Sequence, residues 1–345
     1  MIALRAESPA LRGLATVLPP ARVPALGAAL LVALGGCGGA QGGALPGDVR
    51  ALGPGSFELA LEHGGAERTA LVFVPEAVRE GRPLPLVLAF HGGGGNARQF
   101  RDSNGFEAIA EREGFVVVHP DGTGRIDMRS WNAGGCCGLA HTEEIDDVGY
   151  LLALLDELEG RLPIDAERVF ATGHSNGAMM SFRLAADAGD RIRAIAPLGA
   201  ALLTEAGPGS RPVRVLYIHS VDDPRALYEG GLGPPYPLTG VQIDHVPAIE
   251  VLDHWRGVNG CSARSEETDE RFEERPFGQE PHRAVRIEWN DCSSGAPVHH
   301  WRLEGPGHGW PGARQTLFGL AFMGPATSVI DASEEAWAFF RAVAP

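Results

Sequence analysis

Three residue types that together can perform acyl transfer occur in a fixed order along the chain. Ser175 lies in the sequence Gly-His-Ser-Asn-Gly, two adjacent aspartates follow at Asp222 and Asp223, and His308 comes after them. A serine hydroxyl is a weak nucleophile until a base removes its proton, and a histidine oriented by a carboxylate can act as that base. The order serine, acid, histidine is one of the known chain orders of such a triad. Ser175, one of the two aspartates and His308 are therefore candidate catalytic residues.

The residues around the serine predict the tight strand-to-helix turn that this chemistry needs. Residues 169–172 are a short β-prone run, and good helix formers follow from Ala178. Gly173 and Gly177 leave room for the turn, because a larger side chain at either position would meet a neighbouring element. The backbone N–H of Asn176 would then lie at a helix N-terminus, where it can stabilise a developing oxyanion.

Glycines that follow an apolar strand supply a candidate second oxyanion donor. Residues 84–90 are almost uninterrupted apolar sequence, which is typical of a central strand in a parallel sheet. His91 and four glycines come next, and glycines at this point free backbone N–H groups to face a ligand. We single out Gly93 as the donor, with a flexible turn as the alternative. We interpret His91 as structural.

The candidate acid and base both follow predicted strands. Residues 213–219 predict a strand, and Asp222 and Asp223 come directly after it, so both are eligible as the acid. His308 lies in a Gly/Pro-rich loop at 305–312, after the last predicted strand at 299–303. This is the position at which the base of such a triad is expected.

Two tryptophans, Trp131 and Trp310, are candidate substrate-binding residues. Both lie in irregular segments after predicted strands, and loops at the carboxyl ends of strands line the ligand crevice of open α/β sheets. Trp131 fits a second role equally well, as an anchor that packs its loop on the core.

Two acidic segments have explanations other than catalysis. Asp146 and Asp147 precede the amphipathic run 148–158, so capping of a helix N-terminus is favoured over acid–base or metal chemistry. Residues 266–280 are acidic, polar and without periodicity, which predicts a solvated surface insertion.

The length and composition of the chain allow one large α/β domain or two small ones, and they exclude some partners. Its 345 residues are 44% hydrophobic, which suffices for a sizeable core, and predicted strands alternate with predicted helices. No change in composition marks a boundary after residue 57, so we expect one domain at 57–345. The net charge of -15 argues against nucleic acid or an anionic membrane surface as a partner, because both require clustered positive charge.

The first 37 residues differ from the rest and predict export. Arginines precede the apolar run 23–34, which is too short to span a bilayer but fits the core of a signal peptide. The run ends in Leu-Gly-Gly-Cys at 34–37, which resembles a bacterial lipobox, so we expect Cys37 to be lipidated and 38–56 to be a Gly-rich tether. The alternative is an ordinary cleaved signal, with secretion and no anchor.

The other four cysteines predict disulfides, because thiols outside the cytoplasm are oxidised in pairs. Cys261 and Cys292 are the preferred long-range pair. Cys136 and Cys137 are adjacent and form either a vicinal disulfide or two buried thiols. Their spacing from His141 matches no common zinc site, so we expect no metal and no cofactor.

Five motifs in order resemble the polyhydroxybutyrate-depolymerase-like esterases, which are grouped with bacterial feruloyl and acetylxylan esterases. The resemblance covers roughly residues 57–340. The motifs are Leu-Ala-Phe-His-Gly-Gly at 88–93, Ser-Trp-Asn-Ala-Gly at 130–134 with Cys-Cys-Gly after it, Asp-Asp-Val-Gly at 146–149, Gly-His-Ser-Asn-Gly-Ala-Met at 173–179, and Gly-His-Gly-Trp-Pro-Gly at 307–312.

This resemblance implies an α/β-hydrolase fold, a doubly wound and mostly parallel sheet with helices on both faces. It implies Ser175 as nucleophile, His308 as base and Asp223 as acid, because family members place the acid four residues after a strand-end histidine, here His219. After the acid the chain departs from the usual Val-Pro-Tyr type of sequence and has Arg-Ala-Leu-Tyr at 225–228.

The implied activity is hydrolysis of an ester or polyester substrate by an exported enzyme. A feruloyl or acetylxylan esterase acting on plant polysaccharide is the alternative within the same chemistry. The alternative from a different class is a lipid-anchored binding protein that keeps the fold without catalysis. Nothing in the sequence predicts the oligomeric state.

The lipid anchor is testable in cells. Cells that express the full chain should incorporate a palmitate analogue into it, because a lipobox cysteine is acylated after export. Cys37→Ser should abolish the label, as seen by fluorescence after gel separation. Absence of label on the wild type, or equal label on the variant, would remove the anchor and leave the cleaved signal.

Overall fold

The computed structural model describes residues 52–125, 127–201, 211–236, 240–276, 279–313 and 317–343, with only the backbone described at 317–319. All of these residues belong to one compact unit, Val49–Pro345. Cys37, the predicted signal segment and most of the predicted tether lie outside the described residues, so the roles given to them stay predictions.

Strands account for the centre of the molecule. In chain order they are β1 (Gly55–His63), β2 (Ala66–Val74), β3 (Leu84–Phe90), β4 (Val116–Pro120), β5 (Thr123–Arg125), β6 (Met128–Ser130), β7 (Ile164–His174), β8 (Ala194–Leu198), β9 (Arg214–Ser220), β10 (Gly231–Leu232), β11 (Asp244–His245), β12 (Glu266–Glu273), β13 (His282–Trp289) and β14 (Val298–Glu304). Ten of these form one sheet in the order β1-β2-β4-β3-β7-β8-β9-β14-β13-β12, while β5 pairs with β6 and β10 with β11.

The middle of the sheet is parallel and its two ends are antiparallel. Strands β4, β3, β7, β8, β9 and β14 run in the same direction. The hairpin β1–β2 adds to one end through an antiparallel pairing of β2 with β4, and β13 and β12 continue the other end antiparallel. This is the topology of the α/β-hydrolase fold, which the family resemblance implied.

Eight α-helices lie in the described part of the chain, and some of them cover the two faces of this sheet. They are α1 (Ala97–Asn104), α2 (Phe106–Glu113), α3 (Gly138–Thr142), α4 (Asp147–Arg161), α5 (Asn176–Asp187), α6 (Ala248–Asn259), α7 (Leu317–Met323) and α8 (Ala332–Val343). None of the helices in the described part is long and apolar enough to cross a membrane.

Two hydrophobic cores lie on opposite faces of the sheet, because alternate side chains of each strand point to opposite sides. On one face α4, α5 and α6 pack their apolar sides against the sheet, with Trp255 fully buried. On the other face α2 and α8 do the same, with Phe106 and Phe340 fully buried. Every residue of β3 and β4 is buried, which matches their uninterrupted apolar sequence.

The prediction of a solvated surface insertion at 266–280 is partly wrong. Its first half is strand β12, which pairs with β13 at the end of the sheet, with a register shift between Glu267 and Asp269. An end strand has one free edge, and no residue of β12 is fully buried, so most of its side chains are charged and the strand shows no apolar alternation. The alternation of apolar and polar residues that indicates a strand is therefore missing from this segment.

The acidic pair before α4 divides into two roles. Asp146 caps the helix as predicted, since its Oδ1 accepts a hydrogen bond of 2.9 Å from the N–H of Gly149. Asp147 instead points inward, where its carboxylate accepts hydrogen bonds of 2.6 Å from Arg68 and 2.7 Å from the N–H of Asn132. Burial raises the pKa of Asp147, and the charge of Arg68 opposes that rise.

Both cysteine pairs are joined in the structure. Cys261 follows α6 and is bonded to Cys292 in the turn between β13 and β14, which is the pairing preferred from the sequence. The sulfur atoms of Cys136 and Cys137 are in contact, as a vicinal disulfide requires. The cysteines considered for zinc are therefore used in a disulfide.

Removal of the buried carboxylate at position 147 should destabilise the fold. Asp147→Asn leaves the charge of Arg68 buried without its partner, because the two side chains are only 0% and 6% exposed. We expect a loss of about 3 kcal/mol or more in the free energy of unfolding, measured by urea denaturation.

Asp146→Asn is the matched control, one residue away. Asparagine caps helices about as well as aspartate, and the Asp146 side chain is 64% exposed, so the expected change is below about 1 kcal/mol. Equal losses in the two variants would show that the ion pair with Arg68 contributes nothing specific.

Candidate active site

The candidate nucleophile lies on a strained turn between a strand and a helix. Strand β7 ends at His174 and α5 begins at Asn176, so Ser175 alone forms the connection. Its φ of 56° and ψ of -120° are rare for a residue with a side chain, and surrounding structure must hold them in place. One such restraint is the N–H of Ser175, which donates to the carbonyl of Leu198 on β8 at 2.8 Å.

Two glycines make this turn possible, as the sequence predicted. A Cβ at Gly177 would collide with the backbone carbonyls of Phe90 and His91 at the end of β3. A Cβ at Gly173 would collide with the backbone of Gly177. Because the start of α5 packs this closely on the central strand, neither position can carry a larger side chain.

The structure distinguishes between the two candidate acids. The Nδ1–H of His308 donates to Oδ2 of Asp223 at 2.6 Å, and both side chains are buried. The carboxylate of Asp222 faces away and accepts a hydrogen bond of 2.6 Å from the N–H of Gly305. Asp223 is therefore the aspartate that contacts the candidate base, and the Nε2 of His308 is left to accept a proton.

The second oxygen of Asp223 is held by the backbone. Oδ1 accepts hydrogen bonds of 2.8 Å from the N–H groups of both Arg225 and Ala226. Burial opposes ionisation of this carboxyl, but the charge of His308 and hydrogen bonds from His219 and His308 keep its pKa below the usual range. Asp223 is thus a carboxylate in a fixed orientation, which a triad requires of its acid.

A chain of buried hydrogen bonds supports this carboxylate from behind. The Nε2–H of His219 donates to the carbonyl of Ala226 at 2.9 Å and lies 3.4 Å from Oδ2 of Asp223. Its Nδ1 accepts from the hydroxyl of Tyr217 at 2.6 Å, which fixes the tautomer. The sequence analysis used His219 only as a position marker and missed this supporting role.

A second histidine places the candidate base beside the serine. The Nε2–H of His174 donates to the backbone carbonyl of His308 at 2.5 Å, and the two imidazole centres lie 4.8 Å apart. Burial lowers the pKa of His174 to about 3, so it stays neutral and keeps this bond at neutral pH. His174 precedes Ser175 directly, so the loop of His308 is attached to the same turn.

The hydroxyl side of Ser175 faces a tyrosine that sequence reasoning did not identify. Burial raises the pKa of Tyr236, and side-chain hydrogen bonds with Ser175 and Arg225 lower it. Among the described residues no hydrogen bond joins Ser175 to His308. Ser175 and His308 are only 8% and 4% exposed, so both are covered in this structure. The loop of Tyr236 carries no motif from which this contact could be read.

The two candidate oxyanion donors lie close together. An ideal Cβ on Gly93 would lie 3.5 Å from the Cβ of Asn176, so the glycine loop after β3 sits against the start of α5. No described hydrogen bond uses the N–H of either residue. The first N–H groups of a helix have no partner within it, which leaves the amide of Asn176 free for an anion.

The prediction of Trp131 as a substrate wall is wrong. Trp131 is 0% exposed, its indole N–H donates to the carbonyl of His91 at 3.0 Å, and its ring packs edge-on against Phe90. The side chain of Asn176 also binds the backbone of Trp131 on both sides, accepting from its N–H at 2.7 Å and donating to its carbonyl at 3.1 Å. Of the two roles considered for Trp131, the structure therefore supports that of a loop anchor.

Trp310 is likewise a core residue and not a substrate contact. It is 8% exposed, and its indole N–H donates to Ser333 at 3.1 Å. Its ring packs edge-on against Phe100 and Phe106, which ties the loop of His308 to helices α1 and α2. Its position two residues after the candidate base explains why the sequence placed it near the site.

Within the part that the structure describes, no group of three or more His, Cys, Asp or Glu side chains is arranged to hold a metal ion. The polar groups at the site are a serine hydroxyl, an imidazole that is hydrogen-bonded to a carboxylate, and amide donors nearby. This arrangement can carry out nucleophilic acyl transfer.

Comparison with known proteins finds relatives that are named as esterases. The chain is 25% identical over 245 residues to the bifunctional acetylxylan esterase/xylanase XynS20E of Neocallimastix patriciarum. The aligned region covers 71% of this chain and 31% of the relative. The chain is also 25% identical over 246 residues to feruloyl esterase B of Piromyces equi, covering 70% of this chain and 42% of the relative. The chain thus spans less than half the length of these two relatives.

A solved structure and a family model also match the chain. The acetyl xylan esterase from Aspergillus awamori matches with a TM-score of 0.49 and 16% identity, over 73% of this chain and 94% of that chain. The family model described as esterase PHB depolymerase matches residues 68–244, just over half of the chain, including the strained serine turn and the acid. The chain belongs to this esterase PHB depolymerase family.

Proposed function

We propose that this protein is an exported serine ester hydrolase that works through an acyl-enzyme. The observation that carries the proposal is the 2.6 Å hydrogen bond from His308 to the buried carboxylate of Asp223, beside the strained turn that presents Ser175. Membership of an esterase family and the esterase names of the relatives support the same reaction.

In the first half of the proposed reaction, Ser175 becomes acylated. Nε2 of His308 takes the hydroxyl proton while Oγ attacks the ester carbonyl, and Asp223 stabilises the imidazolium that forms. The tetrahedral intermediate collapses, the C–O bond to the alcohol breaks, and His308 returns the proton to the departing alcohol. The acyl group remains on Oγ as an ester.

In the second half, water takes the place of the alcohol. His308 removes a proton from water, the hydroxide attacks the acyl-enzyme, and the acid leaves as Oγ recovers its proton. The same two amides, of Gly93 and Asn176, hold the oxyanion in both halves. Each such donor is worth roughly 3 to 4 kcal/mol of barrier in a site of this kind.

For the substrate we propose a polyester of the hydroxybutyrate type. The name of the matching family model supports this choice. A feruloyl or acetylxylan esterase activity is the second candidate, and the names of the two relatives favour it.

The proposed location is outside the cytoplasm, either secreted or held by a lipid at Cys37. The apolar run 23–34 and the Leu-Gly-Gly-Cys sequence that follows support export. The two described disulfides are consistent with an oxidising compartment.

Ser175→Ala should abolish turnover. We expect kcat on 4-nitrophenyl acetate or butyrate to fall by about 10⁶-fold, because loss of the nucleophile in a triad has an effect of this size. A fluorophosphonate probe should label the wild type and not the variant, since labelling requires an activated serine.

Ser181→Ala is the matched control for this variant. Ser181 is a buried serine on the same helix, and its hydroxyl only donates to the carbonyl of Gly177 at 3.1 Å. The control should keep both turnover and labelling. Labelling of Ser175→Ala would identify a different nucleophile, and absence of labelling on the wild type would favour a binding protein without catalysis.

A set of three substrates should separate the candidate activities. If the polyester proposal is right, kcat/KM should be highest on short hydroxybutyrate oligomers, compared with methyl ferulate and acetylated xylan at equal ester concentration. A higher value on methyl ferulate or acetylated xylan would assign the second candidate and leave the acyl-enzyme mechanism unaffected.

A further inference from the structure

A buried arginine without a described acidic partner lies beside the candidate active site. Arg225 comes two residues after Asp223, and only 7% of it is exposed. Its Nε and Nη2 atoms are buried and have no hydrogen-bond partner among the described residues. A buried charged donor that makes no hydrogen bond is costly, so two unused donors on one guanidinium require an explanation.

A second buried arginine shows what a structural role looks like in this protein. Arg68 is 6% exposed and, like Arg225, lies over a tyrosine ring, with 4.0 Å between its Cζ and the centre of Tyr150. Arg68 is paired with the carboxylate of Asp147 at 2.6 Å. Arg225 has the same burial and the same aromatic contact, but within the described residues it lacks the carboxylate.

Two aromatic rings hold the guanidinium of Arg225 in place. Its Cζ lies 4.5 Å from the ring centre of Tyr236 and 4.3 Å from that of Phe322. Contacts of this kind stabilise the charge through the face of the guanidinium and leave the N–H groups of Nε and Nη2 without a partner among the described residues. Tyr236 and Phe322 are themselves partly exposed, so one layer of side chains separates the guanidinium from solvent.

This guanidinium is attached to the candidate catalytic residues from two directions. The backbone N–H of Arg225 donates to Oδ1 of Asp223 at 2.8 Å, so its main chain is fixed relative to the acid. The hydroxyl of Tyr236 interacts with both the Arg225 side chain and Ser175. The cation therefore lies one side chain away from the candidate nucleophile.

We propose that the Nε and Nη2 edge of Arg225 binds a carboxylate on the substrate, so that the enzyme prefers esters that carry a free carboxylate near the reacting ester. The inference rests on the proposed esterase function and adds the substrate class to it. Nε–H and Nη2–H form one edge of the guanidinium and point in parallel. A carboxylate accepts both bonds in the same plane, and charge-assisted bonds of this type are stronger than those to a neutral ester carbonyl.

The net charge of the chain opposes an anionic substrate, so such a substrate requires a local cation. With a net charge of -15, the protein repels anions at long range, so a substrate carboxylate needs a specific cation to offset its desolvation. Within the described residues, Arg225 is the arginine with two buried nitrogens that lack a hydrogen-bond partner.

The substrate carboxylate can come from either side of the ester. It can belong to the leaving alcohol, as in the terminal unit of a hydroxyalkanoate oligomer. It can instead belong to the acyl group, as in a half-ester of a dicarboxylic acid. The two sources share the same chemistry at Arg225, and the experiment distinguishes them.

The test measures kcat/KM on two matched pairs of esters with the full chain. One pair is the hydroxybutyrate dimer and its methyl ester, and the other is 4-nitrophenyl hydrogen glutarate and 4-nitrophenyl pentanoate. In one of the two pairs we expect kcat/KM of the wild type to be at least about 10-fold higher for the ester with the free carboxylate. That pair shows whether the carboxylate belongs to the leaving alcohol or to the acyl group. Arg225→Met should bring this ratio close to 1, and Arg225→Lys, which keeps the charge without the fork, should give an intermediate ratio.

Arg82→Met is the control, because Arg82 is an exposed arginine that pairs with Glu80 at the surface. Its ratio should equal that of the wild type. A wild-type ratio of about 1 in both pairs would overturn the proposal. So would an unchanged ratio in Arg225→Met, even if both rates fall, because that pattern indicates a purely structural arginine. If Arg225→Met does not fold, the ratio in Arg225→Lys decides in the same way.

A binding measurement separates this inference from the proposed function. In the Ser175→Ala background the hydroxybutyrate dimer cannot be turned over through Ser175, and calorimetry should show its Kd rise at least about 10-fold when Arg225→Met is added. An Arg225-dependent Kd without hydrolysis of any ester by the wild type would overturn the function and keep the carboxylate site. Hydrolysis of esters by the wild type, together with a Kd that does not depend on Arg225, would keep the esterase function and overturn the carboxylate site.

Discussion

The close approach of α5 to the end of β3 is the constraint on which the candidate site depends. Gly177 packs against the carbonyls of Phe90 and His91, and this contact leaves the chain one residue, Ser175, in which to turn from strand to helix. The resulting φ of 56° is retained because the sheet on one side and the helix on the other determine it. The same contact brings the glycine loop of β3 next to the first amides of the helix.

Much of this could be predicted because it depends on local residue types. Apolar runs bounded by glycines indicated the central strands, and the Gly-x-Ser-x-Gly spacing indicated the turn, since only glycine tolerates such an approach. The order of serine, acid and histidine along the chain was sufficient to name Ser175 and His308, because loops at one edge of a parallel sheet converge. It left Asp222 and Asp223 both eligible, and only the family resemblance implied Asp223. The structure places His308 in contact with Asp223 and beside His174.

What the sequence did not indicate depends on tertiary contacts. Trp131 in a loop near the site is compatible with a substrate wall or an anchor, and only its burial shows that it is an anchor. The hydrogen bond from the Tyr217 hydroxyl to His219 connects neighbours on one strand, but nothing local shows that it supports a catalytic carboxylate. Charged residues on both faces concealed strand β12, because even its half-buried positions carry Asp269, Arg271 and Glu273 and not apolar side chains.

That end strand also has a consequence for how molecules of this protein meet in solution. The outer edge of a ten-stranded sheet offers a row of backbone groups to which another polypeptide could add. Glu266, Glu267 and Glu270 lie on this strand, so two copies that approached edge to edge would bring carboxylates against carboxylates. Repulsion between these carboxylates opposes the pairing of two such edges, so the open edge of β12 is a poor template for a further strand.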